Sequence, residues 1–279
     1  MIVVQRRNKI KEIVLQERSV KVADLVKEFN VSEETIRRDL NQLEREGIIQ
    51  KNYGGAILVE ELQNAAPNVP PVQQRKFQYF EEKDAIGRMA ASLVSEGQIV
   101  ILDSGSTTWC IARHLRGVPN LMVVTNGINI AEECSHNEET SVFVMGGKLV
   151  KKSMSLVGPQ AEIELQKYNA HFAFLGTSGI TERKGFTSSD LYEAEVKRAM
   201  VAAGQKIVIV ADHSKFEQQG LISFAGFRDV DILITSELVD PAILNDIRQT
   251  GVQVIAVSLP EDAAGRIADK RGPADAGSR

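Results

Sequence analysis

Val31-Ser32-Glu33-Glu34-Thr35-Ile36-Arg37-Arg38-Asp39-Leu40-Asn41-Gln42-Leu43-Glu44-Arg45-Glu46-Gly47 is the stretch that decides how this 279-residue chain is read. Ile36, Leu40 and Leu43 recur at helical spacing, which sets them on one edge to be buried. Ser32 is placed to cap the start by accepting a backbone N–H, and Gly47 to end the helix in the left-handed conformation. The open side carries Thr35, Arg37, Arg38, Asn41 and Gln42, side chains that reach phosphates and base edges in a major groove. Charges on one helix face are most often a solvated surface, so the neighbouring segments decide.

Upstream, Ile10, Ile13, Val14 and Leu15 predict a first amphipathic helix. VADLVKEF, over 22–29, predicts a short second one with Ala23, Leu25, Val26 and Phe29 apolar. Asn30-Val31 is then a tight turn into the third helix. Two short helices meeting across such a turn have helix-turn-helix geometry, the second entering the groove. Downstream, residues 48–59 alternate weakly around Gly54-Gly55, as a hairpin would. That hairpin reads as the wing of a winged helix.

The stretch EETIRRDLNQLEREGIIQKNYGGA resembles the amino-terminal signature of the DeoR family of bacterial transcriptional regulators. The resemblance implies binding to double-stranded operator DNA. Where the family commonly has Arg and His, this chain has Lys51 and Tyr53, which keeps a cation and a hydrogen-bonding aromatic group in the wing. The candidate DNA-binding set is therefore Ser32, Thr35, Arg37, Arg38, Asn41, Gln42, Lys51 and Tyr53.

Whole-chain properties fit a cytoplasmic protein of two domains. The length supports a sizeable core and two units. No apolar run approaches a membrane span, and the charged opening Gln5-Arg6-Arg7-Asn8-Lys9 leads into an amphipathic helix instead of a signal-peptide core. Cys110 and Cys134 lack paired metal-ligand spacing and read as buried thiols. His114, His136, His171 and His213 are scattered, so neither a metal site nor a cofactor is indicated. The net charge of −4 hides an asymmetry: residues 1–59 carry 11 basic and 9 acidic side chains, the remaining 220 carry 22 and 28. So modest an excess suits site-specific binding by a dimer or tetramer better than strong attachment of a single module.

Residues 60–75 include Asn-Ala-Ala-Pro-Asn-Val-Pro-Pro, which breaks both periodicities and reads as a linker between a DNA-binding domain (1–59) and a second domain (76–259). In the second domain, short apolar runs alternate with helical segments: QIVILD (98–103), LMVVT (121–125), SVFVM (141–145), HFAFLG (171–176), KIVIVA (206–211), DILIT (231–235) and VQVIAV (252–257). This is an α/β pattern, a largely parallel sheet covered on both faces. The tail over 260–279, without apolar periodicity, reads as disordered.

Ligands of such sheets sit at the carboxyl ends of the strands. After the first run come Ser104-Gly105-Ser106-Thr107-Thr108 and a helix, an arrangement of hydroxyls and backbone N–H groups that suits an anion, especially a phosphoryl group. A lone SGST would be read as helix capping. Later runs end in Thr125-Asn126-Gly127, Gly146-Gly147-Lys148, Gly176-Thr177-Ser178-Gly179 and Asp212-His213-Ser214-Lys215, and five polar exits on one edge make a pocket the better joint reading. Lys215 is the expected charge partner for a phosphate.

DSGSTT, TNG, MGGKL, GFTSSDLYEAEVKRAM and ADHSKF also occur in the order of the DeoR-family sensor domain, whose fold is similar to ribose-5-phosphate isomerases. By that resemblance Asp103, Ser104, Gly105, Ser106, Thr107, Thr125, Asn126, Gly147 and Lys215 would line a site for a phosphorylated sugar, polyol or sugar acid. Many members have an Asp where this chain has Thr177-Ser178-Gly179.

The rival reading is a sugar-phosphate isomerase, with Asp103, Asp190, Glu193 or Asp212 as general base. The isomerases that the sensor resembles carry an acidic cluster in the segment corresponding to 176–180, where this chain has only hydroxyls and glycines between apolar residues, so catalysis is not expected. No G-x-G-x-x-G follows a predicted strand and no G-x-x-x-x-G-K-[ST] occurs, which sets aside dinucleotide and P-loop sites.

Overall fold

A computed structural model describes residues 3–45, 48–52, 54–58 and 69–259. The chain divides into two compact units, the first essentially Met1–Pro67 and the second Asn68 onward. The expected tail over 260–279, the helix stop at Gly47, Tyr53 and residues 59–68 of the expected linker lie outside the described residues.

In the first unit, α1 (Val3–Glu17), α2 (Val22–Phe29) and α3 (Glu33–Arg45) surround an apolar core. Ile10 and Val14 of α1 meet Leu25 of α2 and Ile36, Leu40 and Leu43 of α3, all buried. Leu15, expected on the apolar edge of α1, is 46% exposed. Asn30 ends α2 in the left-handed region at φ 48°. Asn tolerates that conformation better than most residues, which permits the sharp turn into α3. The wing strands β2 (Ile49–Asn52) and β3 (Gly55–Leu58) pair antiparallel as the sequence predicts. A third strand that the sequence did not announce, β1 (Ser19–Lys21), adds to the far side of β3. Gly55 makes this possible, because a Cβ there would fall 2.1 Å from the carbonyl oxygen of Val20.

The second unit is built on a seven-stranded parallel sheet of β4 (Ile99–Leu102), β5 (Met122–Thr125), β6 (Ser141–Val144), β9 (Ala170–Gly176), β12 (Gly204–Val210), β14 (Ile232–Ser236) and β15 (Gln253–Val257). Their order is β15-β14-β12-β9-β4-β5-β6. These are the seven runs named from the sequence. They read as continuous apolar segments because alternate residues face different cores. Val100, Leu102, Phe174, Val208 and Val210 pack beneath α5 (Phe80–Ala91), α6 (Ser106–His114) and α7 (Ile128–Cys134). Ile101, Ala173, Leu175, Ile207 and Ile209 pack beneath α8 (Pro159–Leu165), α9 (Leu191–Ala203) and α10 (Pro241–Gln249). Each wholly buried Ile, Leu or Phe contributes about 1.5–3 kcal/mol, so a sheet covered on both faces is favoured over one left bare.

Smaller elements frame the carboxyl edge. The hairpin of β7 (Lys148–Val150) and β8 (Ser155–Val157) and an antiparallel sheet of β10 (Gly179–Thr181), β11 (Gly185–Ser188) and β13 (Ile222–Ala225) flank it. A one-turn helix, α4 (Val72–Arg75), belongs to the second unit, so the stretch expected as linker up to 75 joins that unit before its end. Val72 is fully buried and its N–H donates to the Lys152 carbonyl at 2.8 Å. Among the described residues no helix is long and apolar enough to cross a membrane.

Candidate functional site

The first unit presents α3 with its polar edge outward. Arg37 and Arg38 are exposed, and each guanidinium is held one turn back on its own helix, Arg37 by Glu33 at 2.6 Å and Arg38 by Glu34 at 2.5 Å. Exposed pairs of this kind contribute only a few tenths of a kcal/mol, so phosphates can take over the arginines at little cost. Ser32 accepts the Thr35 N–H at 3.3 Å, which orders the first turn. Lys51 of the wing reaches α3, donating to Asn41 Oδ1 at 2.5 Å and pairing with Glu44 at 3.0 Å. The structure thus gathers Ser32, Thr35, Arg37, Arg38, Asn41, Gln42 and Lys51 on and around one helix.

What holds that helix in place was not read from the sequence. Asp39 is 1% exposed and accepts from Arg6 at 2.6 Å and from Arg7 at 3.0 Å. The two arginines of the charged opening are therefore committed to an internal carboxylate. An Asp in the midst of the apolar positions Ile36, Leu40 and Leu43 was the available signal.

In the second unit, the exits of β4, β9 and β12 converge on a cleft of about 490 Å³. Of the expected residues, Asp103, Ser104, Gly105, Ser106, Thr107 and Lys215 line it. Ser104 to Thr107 lead into α6, whose first-turn N–H groups have no partner within the helix. Lys215 Nζ makes no hydrogen bond or ion pair among the described residues.

Asp103 is the internal support of this edge. Its Oδ1 accepts from the Gly105 N–H at 2.9 Å and the Thr108 hydroxyl at 2.7 Å, and its Oδ2 from the Gly176 N–H at 2.8 Å and from Lys197. Burial alone would raise the Asp103 carboxyl, but Lys197 and these hydrogen bonds hold it below the usual carboxylate range. Lys197 Nζ also donates to the Gly176 carbonyl at 2.9 Å. One ion pair therefore ties the exits of β4 and β9 to α9. Burial would likewise raise Asp212, and Lys215, Lys83 and Ser214 hold it low.

Thr125, Asn126 and Gly147 do not line the cleft. Thr125 is buried and accepts the Gly127 N–H at 3.0 Å, while Asn126 donates to the Leu156 carbonyl at 3.1 Å, so both brace turns behind the site. Gly147 has φ +135°, and a Cβ there would fall 2.4 Å from the Val157 carbonyl oxygen. Its role is close passage of the backbone beside β8.

Three polar cleft residues escaped the sequence reading, Arg75, Ser153 and Lys197, while Glu193, considered there as a base of the rival enzyme, also lines the cleft. Glu193 accepts from Ser155 at 3.1 Å, and Ser155 shares a 2.7 Å hydrogen bond with Ser153. The spacing of Glu193 and Lys197, one turn apart on a helix, was the only local hint. Glu82, Asp212 and His213 place ligand-type atoms within 4.8 Å of one another. Glu82 there accepts from the His213 backbone N–H, the His213 ring and Ser236, so hydrogen bonding accounts for its burial.

A winged helix-turn-helix in one chain with an α/β unit that opens an anion-suited cleft defines a ligand-responsive DNA-binding regulator. The DeoR-like helix-turn-helix domain matches residues 6–62 and the DeoR C-terminal sensor domain residues 78–237. The chain belongs to the DeoR family of transcriptional regulators. It is 35% identical over 259 residues to the uncharacterized HTH-type transcriptional regulator YulB of Bacillus subtilis, covering 93% of this chain and 98% of that one. It is 32% identical over 235 residues to the HTH-type transcriptional regulator IolR of the same organism, covering 84% and 92%. The glycerol-3-phosphate regulon repressor of Escherichia coli is 32% identical over 231 residues, covering 83% and 90%. The ribose 5-phosphate isomerase A of Methanocaldococcus jannaschii gives a TM-score of 0.36 at 15% identity, over 48% of this chain and 53% of that one.

Proposed function

We propose that this regulator is a cytoplasmic repressor of a carbohydrate-utilisation operon, released from its operator by an intracellular phosphorylated sugar, polyol or sugar acid. One observation carries the reading: in a chain whose other unit is a helix-turn-helix, the sensor unit opens a cleft where a helix N-terminus and Lys215, whose Nζ makes no hydrogen bond among the described residues, face the same space. An anionic ligand satisfies both. A relative bears the name of the glycerol-3-phosphate regulon, which is in keeping with that chemistry.

The protein is a regulator and not an enzyme. An isomerase needs a carboxylate free to move a proton between C1 and C2. Asp103, the carboxylate nearest the helix N-terminus, is saturated by donors and ion-paired to Lys197, and the β9 exit offers Thr177 and Ser178 in its place.

Repression follows by linkage. Two or more copies grip paired half-sites through α3 and the wing, and the effector binds more tightly to an arrangement that does not fit them. The test is fluorescence anisotropy with the DNA upstream of the protein's own operon, at stated salt, titrated with phosphorylated sugars, polyols and sugar acids. Specific binding that one compound releases is the expected result. Lys215→Ala should still bind the DNA but respond weakly to that compound. Absence of specific binding, together with turnover of a sugar phosphate, would sink the proposal.

A further inference from the structure

We propose that Arg75 is an effector-contacting residue, a guanidinium fork that takes the ligand's phosphoryl group and so fastens the ligand to the segment by which the chain enters the sensor unit. The inference rests on the effector reading above and assigns the anion a second protein cation.

Arg75 lines the cleft together with the α6 N-terminus and Lys215. Its Nε donates to the Pro70 carbonyl at 3.0 Å, which spends one edge of the guanidinium on the local turn. The two terminal nitrogens make no hydrogen bond among the described residues, and the side chain is half-buried. A fork with two parallel N–H groups unspent matches the oxygens of a phosphoryl group bidentately.

The backbone beneath this fork is fixed before any ligand arrives. The Val72 N–H is held by the Lys152 carbonyl, Val72 is fully buried, and Lys83 Nζ donates to the Arg75 carbonyl at 2.9 Å. Burial works against the Arg75 cation, while Glu193, Asp103 and Asp212 favour it. A cation kept in such a place without a complete set of hydrogen bonds is arranged for a partner that comes from outside. Lys197, the remaining cation of the cleft, is committed to Asp103. Arg75 and Lys215 are then the two cations left for a phosphomonoester dianion, with the helix N-terminus as the third donor. Because the same guanidinium holds Pro70 and the ligand, occupancy restrains residues 70–75.

The alternative is that Arg75 only caps its own turn through Pro70. Calorimetric titration of the full chain with phosphorylated three- to six-carbon sugars and polyols, and with their dephosphorylated forms, separates the two. The strongest-binding phosphorylated compound should weaken about 30-fold in Arg75→Gln and about 10-fold in Arg75→Lys, which keeps the charge but loses the fork. A dephosphorylated form that still binds should not distinguish the variants. Unfolding midpoints of each variant show whether it is folded. In the parent, hydrogen exchange should slow at residues 70–78 on adding the phosphorylated compound, a readout that needs no variant. Arg75→Gln binding within twofold of the parent, or no slowing in that segment, overturns the role of Arg75 and leaves the effector reading intact. A parent that binds none of the phosphorylated compounds overturns both.

Discussion

Helix α3 and the cleft of the sensor domain both carry cations, and they station them in opposite ways. On α3, Arg37 and Arg38 stand in water and are paired with glutamates one turn back on the same helix. In the cleft, Lys197 is drawn down onto the buried Asp103, 94 positions away, while Arg75 and Lys215 line the space without an ion pair among the described residues. Cheap, reversible pairs suit a surface that must exchange partners with DNA phosphates. A buried pair suits a frame that must keep its shape as a ligand comes and goes. The first kind of charge is for contact, the second for placement.

Lys197→Met tests the second kind and should have the largest effect. Removing one partner of a buried pair typically costs about 3–5 kcal/mol. Asp103 has a lowered carboxyl in the folded protein, so its stabilisation is present above the ordinary carboxylate range and is lost as pH falls through the folded value. In the variant, burial is opposed only by the hydrogen bonds from Thr108 and from the Gly105 and Gly176 N–H groups, so ionisation of Asp103 stabilises the fold less than in the parent. The gap in denaturation free energy between parent and variant should be widest near neutral pH and narrow below about pH 4. A gap independent of pH would mean that Lys197 acts by packing.

Asp39→Ala carries the same logic into the DNA-binding unit, where it should destabilise by about 3 kcal/mol because Arg6 would be left buried without its partner. Effector binding to the sensor should be unaltered, as calorimetry would show. A variant as stable as the parent would mean that buried charge is not what holds α3.

Arg38→Ala probes the exposed kind. Its guanidinium side chain is 75% exposed, so unfolding should move by less than about 0.5 kcal/mol while affinity for operator DNA falls about 10- to 100-fold. Operator binding equal to the parent's would show that α3 is not the recognition helix. The smallest effect is expected from Ser32→Ala, about 0.5 kcal/mol of stability from the long cap hydrogen bond. A larger loss of DNA affinity than of stability there would make Ser32 a phosphate contact.

The same contrast explains what the sequence could tell. The α3 face was legible because its periodicity is local, and the seven strands because burial on both faces makes them continuous apolar runs. Strands β1, β10, β11 and β13 are three or four residues long, too short for a period to show; β10 and β11 pair as a local hairpin, while β1 and β13 are set by pairing with the distant β3 and β11. Asp103 stood out at a strand end, yet its partner Lys197 lay inside what reads as an ordinary amphipathic helix. Arg75 was hidden in a stretch whose prolines read as linker. Thr125, Asn126 and Gly147 sit at strand exits as expected, but their side-chain partners or backbone angles belong to the turns themselves.

Cys110 and Cys134 lie in α6 and α7, and burial pushes both thiols up to about 12. Since the thiolate is the reactive form, alkylation at neutral pH must wait for the helices to lift. The wait is longest at Cys110, because α5 passes so close that a methyl group on Gly87 would stand 2.7 Å from the Cys110 Cβ. The rate at which a maleimide labels Cys110 is therefore a clock for the parting of α5 and α6. As α6 also presents its N-terminus to the cleft, a bound effector should slow that clock, and the thiol would time occupancy from inside the fold.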